Sequence, residues 1–119
     1  MLEPSTINLL EAGIKAEELR QRAIAGNIAN AETPGYRRVE VNFERMLEKT
    51  LRSAGEIDLD EFEPEIYEPD DPPLKSNGNN VNMEAEIGDL VKTSLRHTTY
   101  IRLLRKKFAQ IDAAIRSRM

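Results

Sequence analysis

His97 is the only histidine in a chain of 119 residues that contains no cysteine and no tryptophan. Thiolate nucleophiles, disulfides and thiolate metal sites are therefore excluded. None of the G-x-S-x-G, phosphate-loop, G-x-G-x-x-G or H-E-x-x-H patterns occurs. His97 itself falls on a heptad seam between Ser94 and Ile101, a packing position. Asp58, Asp60 and Glu61 offer carboxylates for a hard cation, but without the glycine and terminal glutamate of a calcium loop, and they read as a solvated loop. A basic C-terminal series (Arg96, Arg102, Arg105, Lys106, Lys107, Arg116, Arg118) is spread around its helix with few aromatics, which does not suit nucleic acid. No catalytic residue, cofactor site, metal site or nucleic-acid partner is assigned, and the basic series is better used in pairing with acidic surface on a neighbouring subunit, the acidic middle of an identical chain being one candidate.

Charge distribution carries more information than its total. Seventeen bases stand against 21 acids, yet residues 56–75 hold nine acids against Lys75, a net −8, while residues 92–118 hold eight bases against Asp112, a net +7. Hydrophobic residues make up 39% of the chain and aromatics 5%, enough for one small domain with a modest core. No apolar run approaches the ~20 residues that span a bilayer. The first residues, MLEPSTINLLEAG, have no basic region before a short apolar stretch, so an ordinary signal peptide is not expected.

These residues must be positioned by helices. Apolar spacing predicts a helix over 5–30, capped by Ser5 or Thr6, with a seam of Ile7, Leu10, Ile14, Glu17, Gln21, Ile24 and Ile28. A second stripe of smaller residues (Leu9, Ala12, Ala16, Leu19, Ala23) gives the helix surface for two neighbours. Pro34-Gly35 then favours a type II turn. A short helix or strand-to-helix piece is expected around 42–52, with Phe43, Met46, Leu47 and Leu51 on one side and Gly55 ending it. Pro64, Pro69, Pro72 and Pro73 limit the acidic stretch to an edge strand over Phe62–Tyr67 at most. Residues 76–80 form a turn cluster.

From Asn82, a capping residue followed by Glu84 and Glu86 in the first turn, a second helix runs with an unbroken heptad seam. The seam is Met83, Ile87, Leu90, Ser94, His97, Ile101, Leu104, Phe108, Ile111 and Ile115. A helix over 83–116 is roughly 50 Å long at ~1.5 Å per residue, whereas a compact domain of this length is about 35 Å across. The rest of the chain cannot wrap it, and uncovered apolar surface implies other subunits. The fold class is thus mainly α: an antiparallel, coiled-coil-like hairpin of terminal helices around an irregular, short β middle. It divides into a helix over 1–30, a middle over 31–81 and a helix over 82–119. Aligning Ile7 with Ile115 sets Glu17 near Arg105 and Gln21 near Ile101, so that Glu17, Gln21, Ser94 and His97 would fix the register.

The run from Arg22 to Arg37, containing Asn27-Ile28-Ala29-Asn30 and Thr33-Pro34-Gly35-Tyr36, resembles the N-terminal signature of bacterial flagellar rod and hook proteins. Residues Gly78–Glu86, Tyr100–Phe108 and Ala113–Ile115 resemble the C-terminal helix of the proximal rod, or FlgB, type. The resemblance covers about 1–45 and 76–119, departing at Asn82, where the family often has Asp, and around His97–Tyr100, where an aromatic commonly stands nearer the front.

The resemblance implies a structural, non-enzymatic subunit of the flagellar basal-body rod, part of the motor's drive shaft. It implies export through the flagellar type III apparatus without a cleaved signal peptide, and assembly into the periplasmic rod. The partners it implies are other rod proteins, the basal-body ring or adaptor, the export gate and further copies of the chain. Asn27, Ile28, Asn30, Thr33, Pro34, Gly35 and Tyr36 form the expected assembly motif, the Asn amides bonding exposed backbone where the helix ends and Tyr36 packing the next segment onto a neighbour. The interface seam is expected at Ile7, Leu10, Ile14, Ile24, Ile28, Ile87, Leu90, Ile101, Leu104, Phe108, Ile111 and Ile115. Two alternatives are another rod component of the FlgC type and a cytoplasmic coiled-coil adaptor or export chaperone.

Overall fold

Pro4 opens the first helix, α1 (Pro4–Ala29). Its ring holds φ near the helical value and its missing N–H is one that a first turn leaves unpaired in any case. Ser5 and Thr6, expected as caps, consequently lie inside the helix. The computed structural model describes residues 4–45, 47–48 and 65–118. The expectations for Met46, Leu51, Gly55 and residues 56–63 lie outside the described residues.

After α1 the chain turns and forms strand β1 (Glu40–Asn42), which pairs antiparallel with β2 (Glu65–Tyr67), Val41 opposite Ile66. Residues 43–45 and 47–48 are helical, as expected, and set buried Phe43, with Leu47, against Ala12 and Ala16 of α1. The C-terminal helix, α2 (Met83–Ser117), starts at Asn82, whose side chain accepts from the Ala85 N–H at 3.2 Å. Its 35 residues make a rod of about 52 Å. The molecule measures 67 × 29 × 17 Å with a radius of gyration of 18.1 Å, well above the ~13–14 Å of a compact chain this long.

The two helices pair antiparallel, in a register different from the expected one. Glu17 meets Thr93 and Arg96, Gly13 meets Tyr100, and Asn27 meets Glu86. Glu17 thus lies opposite Arg96 rather than Arg105, a displacement of nine residues (105 − 96). The inward line of α2 keeps the heptad rhythm but changes phase. Leu90, His97, Leu104 and Ile111 are half-buried as expected, interleaved with Glu86, Thr93 and Tyr100, whereas Ile87, Phe108 and Ile115 are exposed. Small residues on α1 explain the close approach: a Cβ on Gly13 would stand 3.1 Å from the Tyr100 ring. Of the expected register-fixing residues, Glu17 is buried and bonded to α2, and His97 lies 3.3 Å from Glu18. Ser94 is exposed and Gln21 is half-buried.

On α1 the deepest apolar residues are Ala12, Ala16 and Ile24, while Ile7, Leu10, Ile14 and Ile28 are only half-buried. Val41, Phe43, Ala31 and Val81 complete the buried apolar set among the described residues. Such small side chains remove little area from water, so much of the enclosed interior is polar. Glu17, Asn27, Arg38, Asn79, Asn80, Glu86 and Thr93 are all buried.

Candidate functional site

The element around Asn27 is built where α1 ends. Asn30 donates its amide Nδ2 to the Gly26 carbonyl at 2.9 Å, closing the last turn, and Thr33 donates its hydroxyl to Asn30 Oδ1 at 3.2 Å. The Tyr36 N–H donates to the Thr33 carbonyl at 3.3 Å and Gly35 takes φ +75°, which is the type II turn that Pro34-Gly35 predicts. Thr33, Pro34 and Gly35 stand at the surface as its tip.

Asn27 does something different from what was expected of it. Its Nδ2 donates to the Val39 carbonyl at 3.0 Å and to Glu86 Oε2 at 3.1 Å, while its Oδ1 accepts from the Val39 N–H at 3.0 Å and the Tyr36 hydroxyl at 3.0 Å. It therefore splices the strand-leading segment and α2 onto α1, and the helix end is left to Asn30. Tyr36 turns its phenol inward onto Asn27. Burial first, then the charges of Glu86 and Glu68, raise that phenol's pKa above the ordinary tyrosine value.

Beside this hub, Arg38 donates from Nε to Glu86 Oε1 at 2.7 Å and from a terminal nitrogen to Glu40 Oε1 at 2.6 Å. Burial works against the Arg38 charge, but its bonds to Glu86 and Glu40 outweigh that and raise its pKa further. Burial likewise pushes the Glu40 carboxyl up, and hydrogen bonds from Tyr67 and Arg38 overcome it, leaving Glu40 below the usual carboxylate range. Glu86, expected as a dipole-favoured acid in the first turn of α2, is instead a buried ion-pair partner. The second turn cluster joins in. Asn79 Nδ2 donates to the Asn30 and Thr33 carbonyls at 2.9 and 2.8 Å, the Asn80 Oδ1 accepts from the Arg38 N–H at 2.7 Å, and the Gly35 N–H donates to the Asn77 carbonyl at 2.8 Å.

A 31-residue stretch over this element, residues 7–37, matches the family described as flagella basal body rod protein. Over most of its length the chain is similar to curated flagellar basal body rod proteins FlgB. It is 24% identical to that of Bacillus subtilis (strain 168), over 92% of each chain. It is 27% identical to that of Aquifex aeolicus (strain VF5), over 94% of each. Against that of Buchnera aphidicola subsp. Acyrthosiphon pisum (strain APS) it is 30% identical, over 66% of this chain and 69% of the relative. The chain belongs to the FlgB family of flagellar basal-body rod proteins. It is a structural subunit of the proximal rod, which sets the adaptor and chaperone alternative aside.

In this rod protein a second polar cluster lies further along the helix pair. Buried Glu17 accepts from Arg20 at 2.6 Å, from Arg96 Nε at 2.8 Å and from the Thr93 hydroxyl. Arg20 also clamps both oxygens of Glu44 at 2.9 Å and lies over the Phe43 ring. Burial raises the Glu44 pKa first, but bonds from its own backbone N–H and from Arg20 bring it below the usual range. An open groove of about 540 Å³ runs beside β1, lined in part by Arg20, Arg38 and Arg96, and each of these is already held by a carboxylate.

Sequence reasoning located Asn27, Asn30 and the Pro-Gly turn, but missed Arg38, Asn79, Asn80 and the inward role of Glu86. Only Asn77-Gly78-Asn79-Asn80 carried a signal, as a turn cluster. Among the described residues no helix is long and apolar enough to cross a membrane.

Proposed function

We propose that this chain leaves the cell through the flagellar type III apparatus without a cleaved signal peptide and assembles into the periplasmic part of the rod through its terminal helices. Neighbouring rod proteins and further copies of the chain flank it, with the ring or adaptor and the export gate at its base, and it acts there by shape and contact rather than by catalysis. The observation that carries this reading is the outward face of α2, where Ile87, Val91 and Leu95 stand exposed with no covering element among the described residues. Contiguous apolar surface of that kind marks an interaction site. The division of labour follows the three segments 1–30, 31–81 and 82–119: two helices to assemble and a middle to join them.

In the motif, Asn27, Asn30 and Tyr36 hold the turn, while the exposed tip of Thr33, Pro34 and Gly35, with half-buried Ile28, meets the neighbour. The remaining seam residues Ile7, Leu10, Ile14, Ile24, Leu90, Ile101, Leu104, Phe108, Ile111 and Ile115 divide between the hairpin and such neighbours. Gly35→Val tests the turn. A Cβ added to Gly35 would meet nothing within 4 Å, which leaves backbone strain at φ +75° as the main effect, about 1–2 kcal/mol. The variant is expected to be secreted but missing from purified basal bodies, with motility lost. Normal motility and normal incorporation would sink the reading.

A further inference from the structure

The two poles of the molecule are unlike, and each carries what the other lacks. At one pole α2 overruns its partner. With Gly13 against Tyr100, one-for-one counting puts Pro4 opposite about residue 109, so 110–117 have no α1 beside them. Phe108 is 49% exposed and Ile115 58% exposed. Around them stand Arg102, Arg105, Lys106, Lys107, Arg116 and Arg118, and residues 102–118 of the sequence hold one acid, Asp112, which pairs with Arg116 at 3.3 Å.

At the other pole the segment after β2 is both acidic and apolar. Glu68, Asp70 and Asp71 are exposed, Asp70 completely, and they are flanked by Ile66 at 60% and Leu74 at 51% exposure. Arg37, 3.4 Å from Asp70 and 4.0 Å from Glu68, is the one base paired with these acids among the described residues. Arg38 fixes this segment beside the start of α2, because it bonds both the Asp71 carbonyl and Glu86. Ile115 lies 29 residues further along the same unbroken helix, about 43 Å away, so the overhang cannot reach its own chain's acidic pole.

We propose that the basic, apolar C-terminal end of α2, the 110–117 overhang together with the two turns before it, docks on the acidic, apolar pole of a second copy of the chain, Phe108 and Ile115 covering Ile66 and Leu74 while the basic residues meet Glu68, Asp70 and Asp71. It rests on the rod-subunit reading for there being an assembly at all, and adds which surfaces meet. A head-to-tail contact between these unlike surfaces is heterologous, and where its rotation does not close it propagates along a line. Opposite charge steers the encounter and excludes the parallel pairing of like poles.

Two double variants of the full chain test this by sedimentation at increasing salt: Arg105→Glu with Lys106→Glu, and Glu68→Lys with Asp70→Lys. All four positions are exposed, and circular dichroism confirms equal helix content before use. The wild-type chain is expected to self-associate in a salt-sensitive way, and each variant alone to associate at least roughly tenfold more weakly. An equimolar mixture of the two should regain association, because each acidified overhang then finds a basic pole. A wild-type chain that stays monomeric, association indifferent to salt, or a mixture no better than its components would overturn the docking. Basal-body purification separates the two levels: if the wild-type chain is missing there, the rod reading itself fails, whereas its presence together with an unrestored mixture removes the docking alone.

Discussion

Asn27 spends all four hydrogen-bonding positions of its side-chain amide: two donors to Val39 and Glu86, two acceptor sites to Val39 and Tyr36. Truncation leaves a backbone N–H, a backbone carbonyl and a carboxylate without that partner in the interior, where each unmet group costs about 1–3 kcal/mol. Asn27→Ala is therefore expected to lower stability by roughly 2–4 kcal/mol, read as a fall in the urea midpoint. A loss under about 0.5 kcal/mol would mean that water replaces the amide. Titration acts at the same scale. Glu40 and Glu44 have folded-state pKa values below their unfolded ones, so their contribution is complete above the unfolded value, about 4.3, and disappears as pH falls through the lower folded values. Thermal midpoints should be level from about pH 7 to 5 and fall below about pH 4, more shallowly in Glu44→Gln. At this scale the sequence was half legible. The Asn30 side chain and the turn at Gly35 act on neighbours within four residues, which spacing reveals, but Asn27 meets Glu86 from 59 residues away and nothing local announces that bond.

The elements were the most legible level and their alignment the least. Heptad spacing marks both long helices because apolar residues every three or four positions can be buried only on a helix. The same repetition makes several alignments of two heptad seams nearly equivalent. The register is selected by Glu17, Thr93, Arg96 and Arg20, supported by Glu44 from the segment after β1. Glu17→Lys should cost roughly 3–5 kcal/mol by setting a buried ammonium beside two guanidinium groups. Adding Arg96→Glu should recover part of that, and adding Arg105→Glu should recover none. Equal rescue by Arg105→Glu in urea melts would return the pair to the alignment that apolar spacing alone suggested. The short strands were legible only as a limit on helix, since prolines in 64–73 forbid one without saying what β2 pairs with.

Over the whole molecule, stability runs downhill along α2. Its first half is tied to α1, β1 and the turn by buried ion pairs, while the last turns have neither α1 nor β1 beside them. Hydrogen exchange of the isolated chain should therefore be slowest around 86–100 and fastest over 103–117, with the terminal turns gaining protection in assembled rods. Removing residues 110–119 should shift the thermal midpoint by no more than a few degrees while abolishing incorporation into basal bodies; a collapse of the hairpin on truncation would contradict this gradient. The extended shape was legible from arithmetic alone, since a 35-residue helix outruns what 119 residues can surround. The polar content of the interior was legible only in part: Glu17 stood on the expected seam, whereas Arg38, Glu86 and Thr93 lay off it, with nothing local to mark their buried partners.

Gly35 and Gly78 both take positive φ, and a Cβ on Gly78 would come within 3.3 Å of the Gly35 Cα. Two turns that the sequence separates by 43 positions (78 − 35) are in effect one bearing, seated at the root of a long lever. A tilt of 5° there displaces a point about 50 Å along the helix by about 4 Å, nearly a full helical pitch. Any side chain wedged between these glycines would thus be felt as a mis-aimed tip at the far end of the molecule, while the bearing itself had hardly moved.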